Sequence, residues 1–542
     1  MASPNFTFDD SNRRLISTGS WSYGCYVPLL VPIILFLGSL YIPPMMNADS
    51  SVGFLVLRSM LDGGAFNSFT APDPANIAND VVTFLTFWSP GQYLVPGSLI
   101  WLGTDYGLAI TLTTLIATLT GLLGWIQVAR SFALSSFVLF VFVLGLSTFS
   151  YVTLSFRIYN GGELLLFAAA PWSLYAMRWA ANKPPVICFA ISLLSVALLF
   201  FAKLTGLIVF AANVGAITLL ALVSQRRLSP STITMWVASI IGALCVMMFW
   251  LARGPVAARG GTFTFSWFPI WFSVASAAFS GTSASEFLSW LLGHTWVQTT
   301  SEDLDLYTRM LRLSYVLGPL GLLLIVWVWL RLRHTRYRDM AVLLLTVISL
   351  DAIPLAAMYL RGAPISFEDR HFRYAGILFF LLLLTAIDQW RVRFANGLAW
   401  LVVIVLGLYG LKTSVTDAYA QMRRASYYDP MSGIYQQIVS PAVIEYIRSE
   451  ATRHNFQRPI AAVTSLSAAI SLPRFRILYT ARNNIPPYNT RIWAGRAEKI
   501  FVVVPEEVLL NGMAEAMLRS FTGYEFRNWS QMSLDGMIIY SQ

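Results

Sequence analysis

The stretch Asn47-Ala-Asp-Ser-Ser-Val-Gly-Phe-Leu-Val-Leu-Arg-Ser-Met-Leu-Asp-Gly-Gly64 follows an apolar run, Cys25 to Ile42, that closes with Pro43-Pro44. Asp49 therefore stands where the chain leaves a segment fit for hydrocarbon. Behind it Val52, Leu55, Val56, Ser59 and Met60 recur at helical spacing, and Gly63-Gly64 ends the pattern. The spacing predicts an amphipathic helix in the membrane interface with a carboxylate at its start. A carboxylate at a membrane border is costly and usually has a function.

The rest of the chain fits that setting. Of 542 residues, 56% are hydrophobic and only 12% charged, with a mean hydropathy of +0.62. Soluble proteins carry about 25% charged residues. The apolar runs are long enough to cross about 30 Å of hydrocarbon, so the expected fold class is an α-helical polytopic membrane protein. About eleven spans are expected, near 25–42, 106–128, 132–151, 164–181, 186–201, 205–223, 232–251, 313–331, 340–360, 375–388 and 396–413. The first span reads as a retained anchor, because no small-residue cleavage site follows Arg13-Arg14. Cys25, Cys188 and Cys245 all lie in apolar runs and give neither a disulfide framework nor a metal spacing.

Short loops set the orientation. Arg13-Arg14, Arg130, Lys183, Arg226-Arg227, the run Arg331 to Arg338, and Arg391 and Arg393 fall on one side, which should be cytoplasmic. These loops and contacts to anionic lipid account for the net charge of +10 before any nucleic acid is invoked, and no nucleic-acid partner is expected. The segments 43–105, 252–312, 361–374 and 414–542 then lie outside. The expected organisation is a cytoplasmic segment 1–24, a transmembrane domain 25–413 with outer-face helices at 43–105, and an extracytoplasmic α/β domain 414–542. In the last, Pro441 to Arg453 and Glu506–Ser520 read as helices, and Pro459–Ser465, Phe475–Thr480, Lys499–Val504 and Met537–Ser541 as strands.

Several cations break the inside-positive pattern. Arg58, Arg157, Lys203, Arg253, Arg259, Arg309, Arg312, Arg361, Arg370 and Arg373 fall at outer ends of spans or in outer loops. Cations from separate hairpins on one face suit an anion at headgroup level, through charge-assisted hydrogen bonds. Snorkelling or pairing with loop carboxylates is the alternative for any one of them. Lys203 sits in the apolar stretch Leu199-Phe-Phe-Ala-Lys-Leu-Thr-Gly206. Arg370 and Arg373 flank His371 in Glu368-Asp-Arg-His-Phe-Arg-Tyr374, where Glu368 and Asp369 can neutralise them.

Glu163, at the outer mouth of the fourth span, is a candidate second acid or metal ligand, or a structural partner of Arg157. Glu302, Asp303 and Asp305 follow His294 and read as a solvated loop, and Asp62, Asp73 and Asp80 as turn and loop acids. Only four histidines occur, and no ligand spacing supports a divalent metal, so no metal residues are assigned. No Walker loop, Gly-rich dinucleotide fingerprint or Ser/His/Asp motif is present, which leaves soluble nucleotide chemistry unsupported.

Taken in order, four segments resemble the GT-C superfamily, multispanning glycosyltransferases with a lipid-phosphate-linked sugar donor. These include protein O-mannosyltransferases and bacterial aminoarabinose transferases. The segments are Asn47-Ala48-Asp49 with the helix to Gly64; Phe87-Trp-Ser-Pro90-Gly-Gln-Tyr93 through Gly103; Lys203-Leu-Thr-Gly206; and Asp369-Arg370-His371-Phe372 entering a span. The likeness covers most of residues 20–410. It departs from the family where Ser50 stands in place of a frequent second acid, and where His371 separates Arg370 from the aromatic residue.

The resemblance implies a GT-C-like fold and transfer of a sugar from a polyprenyl-phosphate donor to a glycan, lipid or protein hydroxyl at the outer face. It implies inverting displacement with Asp49 as base, the phosphate held by Lys203, Arg370 and Arg373, and Arg58, Glu163 and His371 as further second-acid or acceptor-site candidates. The missing disulfide framework and eukaryotic sorting signals point to a bacterial inner membrane. A lipid-linked-sugar flippase or transporter and an O-antigen-type polymerase are the alternatives. A transporter needs ionisable groups deep in the spans, whereas the charges here gather at one face.

Overall fold

The computed structural model of the chain describes residues 24–225, 228–254, 262–284, 286–287, 304–363, 365, 367–390, 393–479, 487–489, 499–506, 513–522 and 528–542. Arg13, Arg14, Arg226, Arg227, Arg259, Arg391, His294, Glu302 and Asp303 lie outside the described residues, as do the side chains of Asp305, Arg309 and Arg312. So do most of segment 1–24 and residues 507–512 of the helix expected over Glu506–Ser520.

In chain order the helices are α1 (Leu30–Tyr41), α2 (Ala48–Leu61), α3 (Gly91–Trp101), α4 (Tyr106–Arg130), α5 (Ser136–Thr148), α6 (Ser150–Ser155), α7 (Gly161–Ala180), α8 (Pro185–Ala202), α9 (Gly206–Gln225), α10 (Pro230–Phe249), α11 (Trp267–Phe279), α12 (Leu304–Leu332), α13 (Arg338–Leu360), α14 (Arg373–Asp388), α15 (Arg393–Arg423), α16 (Pro441–Arg453), α17 (Leu466–Ile470) and α18 (Met513–Arg519). Among the described residues nine helices are long and apolar enough to cross a membrane: α1 with its preceding 3-10 turn, α4, α8, α9, α10, α12, α13, α14 and α15.

The other two expected spans correspond to α5, of 13 residues, and α7, of 20. The run 132–151 breaks at Phe149, whose extended backbone separates α5 from α6 and lets the Ser150 N–H donate to Ser283 Oγ at 2.6 Å.

Two expectations need correction. Segment 252–312 does not lie wholly outside: it carries α11, whose Phe268 and Phe272 are buried in the bundle core. Its sequence carries no charge and only two serines, Ser273 and Ser276, which suits burial of most of its surface. Likewise α2 is not spread on an open interface. Ser50, Ser51, Gly53, Phe54, Leu55, Val56 and Leu57 are all buried, in a core shared with α3 and the C-terminal segment. Its predicted stop holds. Gly63 has φ +89°, its N–H donates to Met60 O at 3.1 Å, and the Gly64 N–H donates to Ser59 O at 2.7 Å, which is a Schellman motif.

The C-terminal region begins later than 414, because α15 continues unbroken to Arg423. Beyond it lies a five-stranded sheet in the order β12-β13-β10-β7-β8. Its strands are β7 (Ile460–Val463), β8 (Arg476–Tyr479), β10 (Ile500–Pro505), β12 (Ser530–Leu534) and β13 (Met537–Ser541), with β7, β8 and β10 parallel. The unanticipated β12 pairs with β13 through Asp535-Gly536, both at positive φ, the dipeptide that a tight hairpin turn requires. A hairpin of β2 (Ser68–Pro72) and β3 (Asp80–Phe84) also stands in the 43–105 segment, and β9 (Tyr488–Asn489) pairs in parallel with β11 (Phe521–Thr522) in the C-terminal region.

A smaller sheet ties the two regions together. β1 (Met45–Met46) runs parallel to β4 (Ile158–Tyr159) on one side and to β6 (Ile434–Tyr435) on the other, and β5 (Tyr428–Asp429) closes the order β4-β1-β6-β5. Beside it the Gly107 N–H donates to Ser432 O at 2.9 Å, and a Cβ on Gly107 would lie 1.8 Å from Gly433 O. Gly107→Ala therefore forces α4 from this strand segment. The expected cost is about 1–3 kcal/mol, as for other overpacked sites, read as a lower unfolding midpoint of the purified chain. An unchanged midpoint contradicts the close approach.

Candidate active site

The small sheet explains how two distant acids meet. Parallel pairing of Met46 with Tyr159 sets the starts of α2 and α7 side by side. Asp49 lies in the first turn of α2 and Glu163 in the first turn of α7. The Asn47 N–H donates to Tyr159 O at 3.2 Å, and Asn47 Oδ1 accepts from the Ser50 N–H at 2.9 Å, capping α2. The Gly161 N–H donates to Ser50 Oγ at 3.3 Å, joining the two helix starts. Ser50, where the resembled family often has an acid, is here fully buried and structural. Each helix N-terminus favours its carboxylate by about 0.3–1 kcal/mol.

Arg370 bridges the pair from a 3-10 turn, Asp369–Phe372, that leads into α14. Arg370 Nη2 lies 3.0 Å from Asp49 Oδ2, Nη1 lies 3.5 Å from Glu163 Oε1, and Nε meets Glu368 Oε2. Only the planar fork of Arg can address three carboxylates in this way. Lys203 caps the C-terminal end of α8, and its Nζ lies 2.6 Å from Glu163 Oε1. The tight turn after it needs glycine: a Cβ on Gly206 would lie 2.2 Å from Leu199 O. The side chain of Glu163 is 10% exposed and that of Asp49 is 37% exposed, so Asp49 is the acid open to a solute.

Glu163 and Arg370 of the cluster stand at one end of a narrow, partly open cleft with a free volume of about 30 Å³, whereas Asp49 is outside its lining. Glu163, Arg370, His371 and Arg373 form its charged end. Trp125, Leu166, Phe167 and Ile377 form apolar walls. The Arg373 guanidinium lies over the Tyr151 ring, 5.2 Å from its centroid. Both ring nitrogens of His371 are buried without a hydrogen-bond partner among the described residues, a state that calls for a ligand or water. Among the described residues no group of three or more His, Cys, Asp or Glu side chains is arranged to hold a metal.

The structure thus brings together Asp49, Glu163, Lys203, Arg370, His371 and Arg373. Lys203 contacts Glu163 but does not line the cleft. Arg157 does not pair with Glu163; its Nη1 donates to Ile42 O at 3.2 Å, and burial lowers its pKa against the opposing field of Asp417. Arg58 is remote from the cluster. It donates from Nη1 to Ala469 O at 2.5 Å and from Nη2 to Phe475 O at 2.8 Å, tying α2 to the C-terminal region, and burial pushes its pKa down. Asp80, read as a loop acid, instead pairs with Arg458 and Arg476.

Sequence reading missed Asp351. It lies within α13, 2% exposed, with Oδ2 unpartnered among the described residues. A lone acid in an apolar run was a legible signal.

No family model matches the chain, and no curated protein matches it. Among solved structures, ArnT from Cupriavidus metallidurans bound to undecaprenyl phosphate is similar at a TM-score of 0.54 and 12% identity, over 95% of this chain and 97% of that one. The same protein in the apo state gives 0.53 and 12%, over 98% of each chain. The arabinofuranosyltransferase AftD from Mycobacteria gives 0.52 and 12%, over 97% of this chain but 40% of that one. At such identity the likeness is one of fold: the chain has the GT-C-like membrane fold of these glycosyltransferases.

Arg370→Lys keeps the charge but cannot span Asp49 and Glu163 together. Losing a charged hydrogen bond of this kind costs about 1.5–3 kcal/mol. Hydrogen exchange should quicken at the starts of both α2 and α7; quickening at one alone, or neither, contradicts the bridge.

Proposed function

We propose that the chain is an integral membrane glycosyltransferase that moves a sugar from a polyprenyl-phosphate donor to an acceptor hydroxyl. The observation that carries this reading is the Arg370-bridged pair of carboxylates, of which Glu163 lines the charged end of an apolar-walled cleft and Asp49 meets Arg370 beside it. Such a cleft suits an anion joined to a hydrocarbon tail. The fold shared with ArnT, whose structure holds undecaprenyl phosphate, supports the same donor class. The charge pattern of the short loops supports a site and C-terminal region facing outward, as in a bacterial inner membrane.

In the mechanism, the acceptor oxygen attacks the anomeric carbon while its bond to the phosphate oxygen breaks, with inversion. The electron pair leaves with the phosphate, and the acceptor proton passes to Asp49 as general base. Arg370, Arg373 and His371 face the leaving phosphate and stabilise its developing charge. Lys203 acts through Glu163, holding the carboxylate that positions Arg370. A phosphate at Arg370 competes with Asp49 for the guanidinium, so donor binding frees the base.

Asp49→Asn should lower transfer by about 10²–10⁴-fold, the usual contribution of a general base, with binding of the lipid-phosphate sugar retained. Transfer at the wild-type rate removes Asp49 from that role.

One observation favours a second reading, a lipid-linked-sugar flippase: the buried Asp351 within α13. Intramembrane acids commonly mark transport paths. In proteoliposomes, Asp351→Asn should leave transfer intact on the glycosyltransferase reading. Translocation of a lipid-linked sugar by the wild type, abolished by this substitution, would support the flippase instead.

A further inference from the structure

A second cleft, enclosing about 930 Å³ of partly open space, lies between the C-terminal half of α2, the β2–β3 hairpin and the turn into β8. Its lining includes Arg58, Arg458, Arg474 and Arg476 against only two acids, Asp62 and Asp80. Asp80 is consumed by Arg458 and Arg476. Arg58 is held by two backbone carbonyls, with Asp62 at 3.8 Å and 68% exposed. Arg474 is exposed and has no partner among the described residues. The cleft therefore has a surplus of positive charge.

Arg474 is also held at φ +69°, a conformation that disfavours any residue with a Cβ. Backbone outliers of this kind cost about 1–3 kcal/mol and concentrate at ligand sites. Beside it the lining alternates Phe69 and Phe475 rings with the Ser59 and Thr70 hydroxyls, which lie 3.3 Å apart. Rings and hydroxyls side by side suit a ligand with both C–H faces and hydroxyl groups, which is the chemistry of a sugar. The surplus cations add a carboxylate to that description. No residue of the nine spanning helices lines the cleft, which disfavours a lipid headgroup.

We propose that this cleft binds an anionic saccharide, a uronate-bearing glycan segment, apart from the Asp49 cluster. Arg58 stands nine residues along α2 from Asp49, or about 13.5 Å along the axis, and Arg476 and Ile477 of β8 line the same cleft. A polymeric acceptor held there is tethered while its end reaches Asp49. As a biological role this rests on the glycosyltransferase reading; the binding itself does not.

The test titrates the purified full chain with a galacturonate oligomer and, separately, with a neutral glucan oligomer of equal length. The galacturonate should bind, weakening as salt rises, and the neutral oligomer should bind at least about tenfold more weakly, as expected for loss of a desolvated charge contact. Arg474→Gly relieves the backbone strain and should stay folded, with an equal or higher unfolding midpoint, yet lose about tenfold or more in galacturonate affinity. Asp49→Asn should bind galacturonate like the wild type, so failed transfer and failed saccharide binding remain separate results. Equal binding of the neutral oligomer, unchanged affinity in Arg474→Gly, or displacement of galacturonate by phosphatidylglycerol vesicles would each overturn the proposal.

Discussion

The arrangement at the charged end of the bundle depends on Arg370. Its guanidinium takes Asp49 from α2, Glu163 from α7 and Glu368 from its own turn, and Lys203 closes the set through Glu163. Three acids at one membrane border would repel one another and resist burial without it. Removing one partner of a buried ion pair typically costs about 3–5 kcal/mol, because a charge is stranded. The cluster is therefore both a joint between separate parts of the chain and a poised electrostatic site.

Two constraints make that joint possible. One is the four-stranded mini-sheet, in which two-residue strands set α2 and α7 in parallel register. The other is the C-terminal region, which donates β5 and β6 to this sheet, clamps α2 through Arg58 and holds the β2–β3 hairpin through the Asp80–Arg476 pair. The C-terminal region is thus part of the frame that holds the Asp49 helix. Burial of Ser50 and Ser51, with Ser50 Oγ accepting from the Gly161 N–H, fixes the orientation of the first helical turn and leaves Asp49 as the more exposed acid.

The long helices were legible in the sequence because twenty apolar residues allow few other structures in lipid. The α16 helix was legible to the residue because Ser440 and Pro441 mark its start and its apolar stripe is sharp. Asp49, Lys203, Arg370 and Arg373 stood out as charges beside apolar runs. Their meeting was not legible, since β1 and β4 are too short to show any periodicity and pair across more than a hundred residues. The break at Phe149 and the burial of α11 depend on neighbours as well, whereas the Asp535-Gly536 turn and Asp351 carried local signals that can be read directly. Arg58 had the right charge, but its partners are backbone carbonyls from the far end of the chain.

The central claim is that Arg370 exchanges a carboxylate for a phosphate and so releases the base. A structure of the full chain with a polyprenyl phosphate bound tests this most directly. The expected result places the phosphate against Arg370 and Arg373, the hydrocarbon between Trp125, Phe167 and Ile377, and Asp49 parted from Arg370. A phosphate bound elsewhere, with the Asp49–Arg370 pair intact, would contradict it.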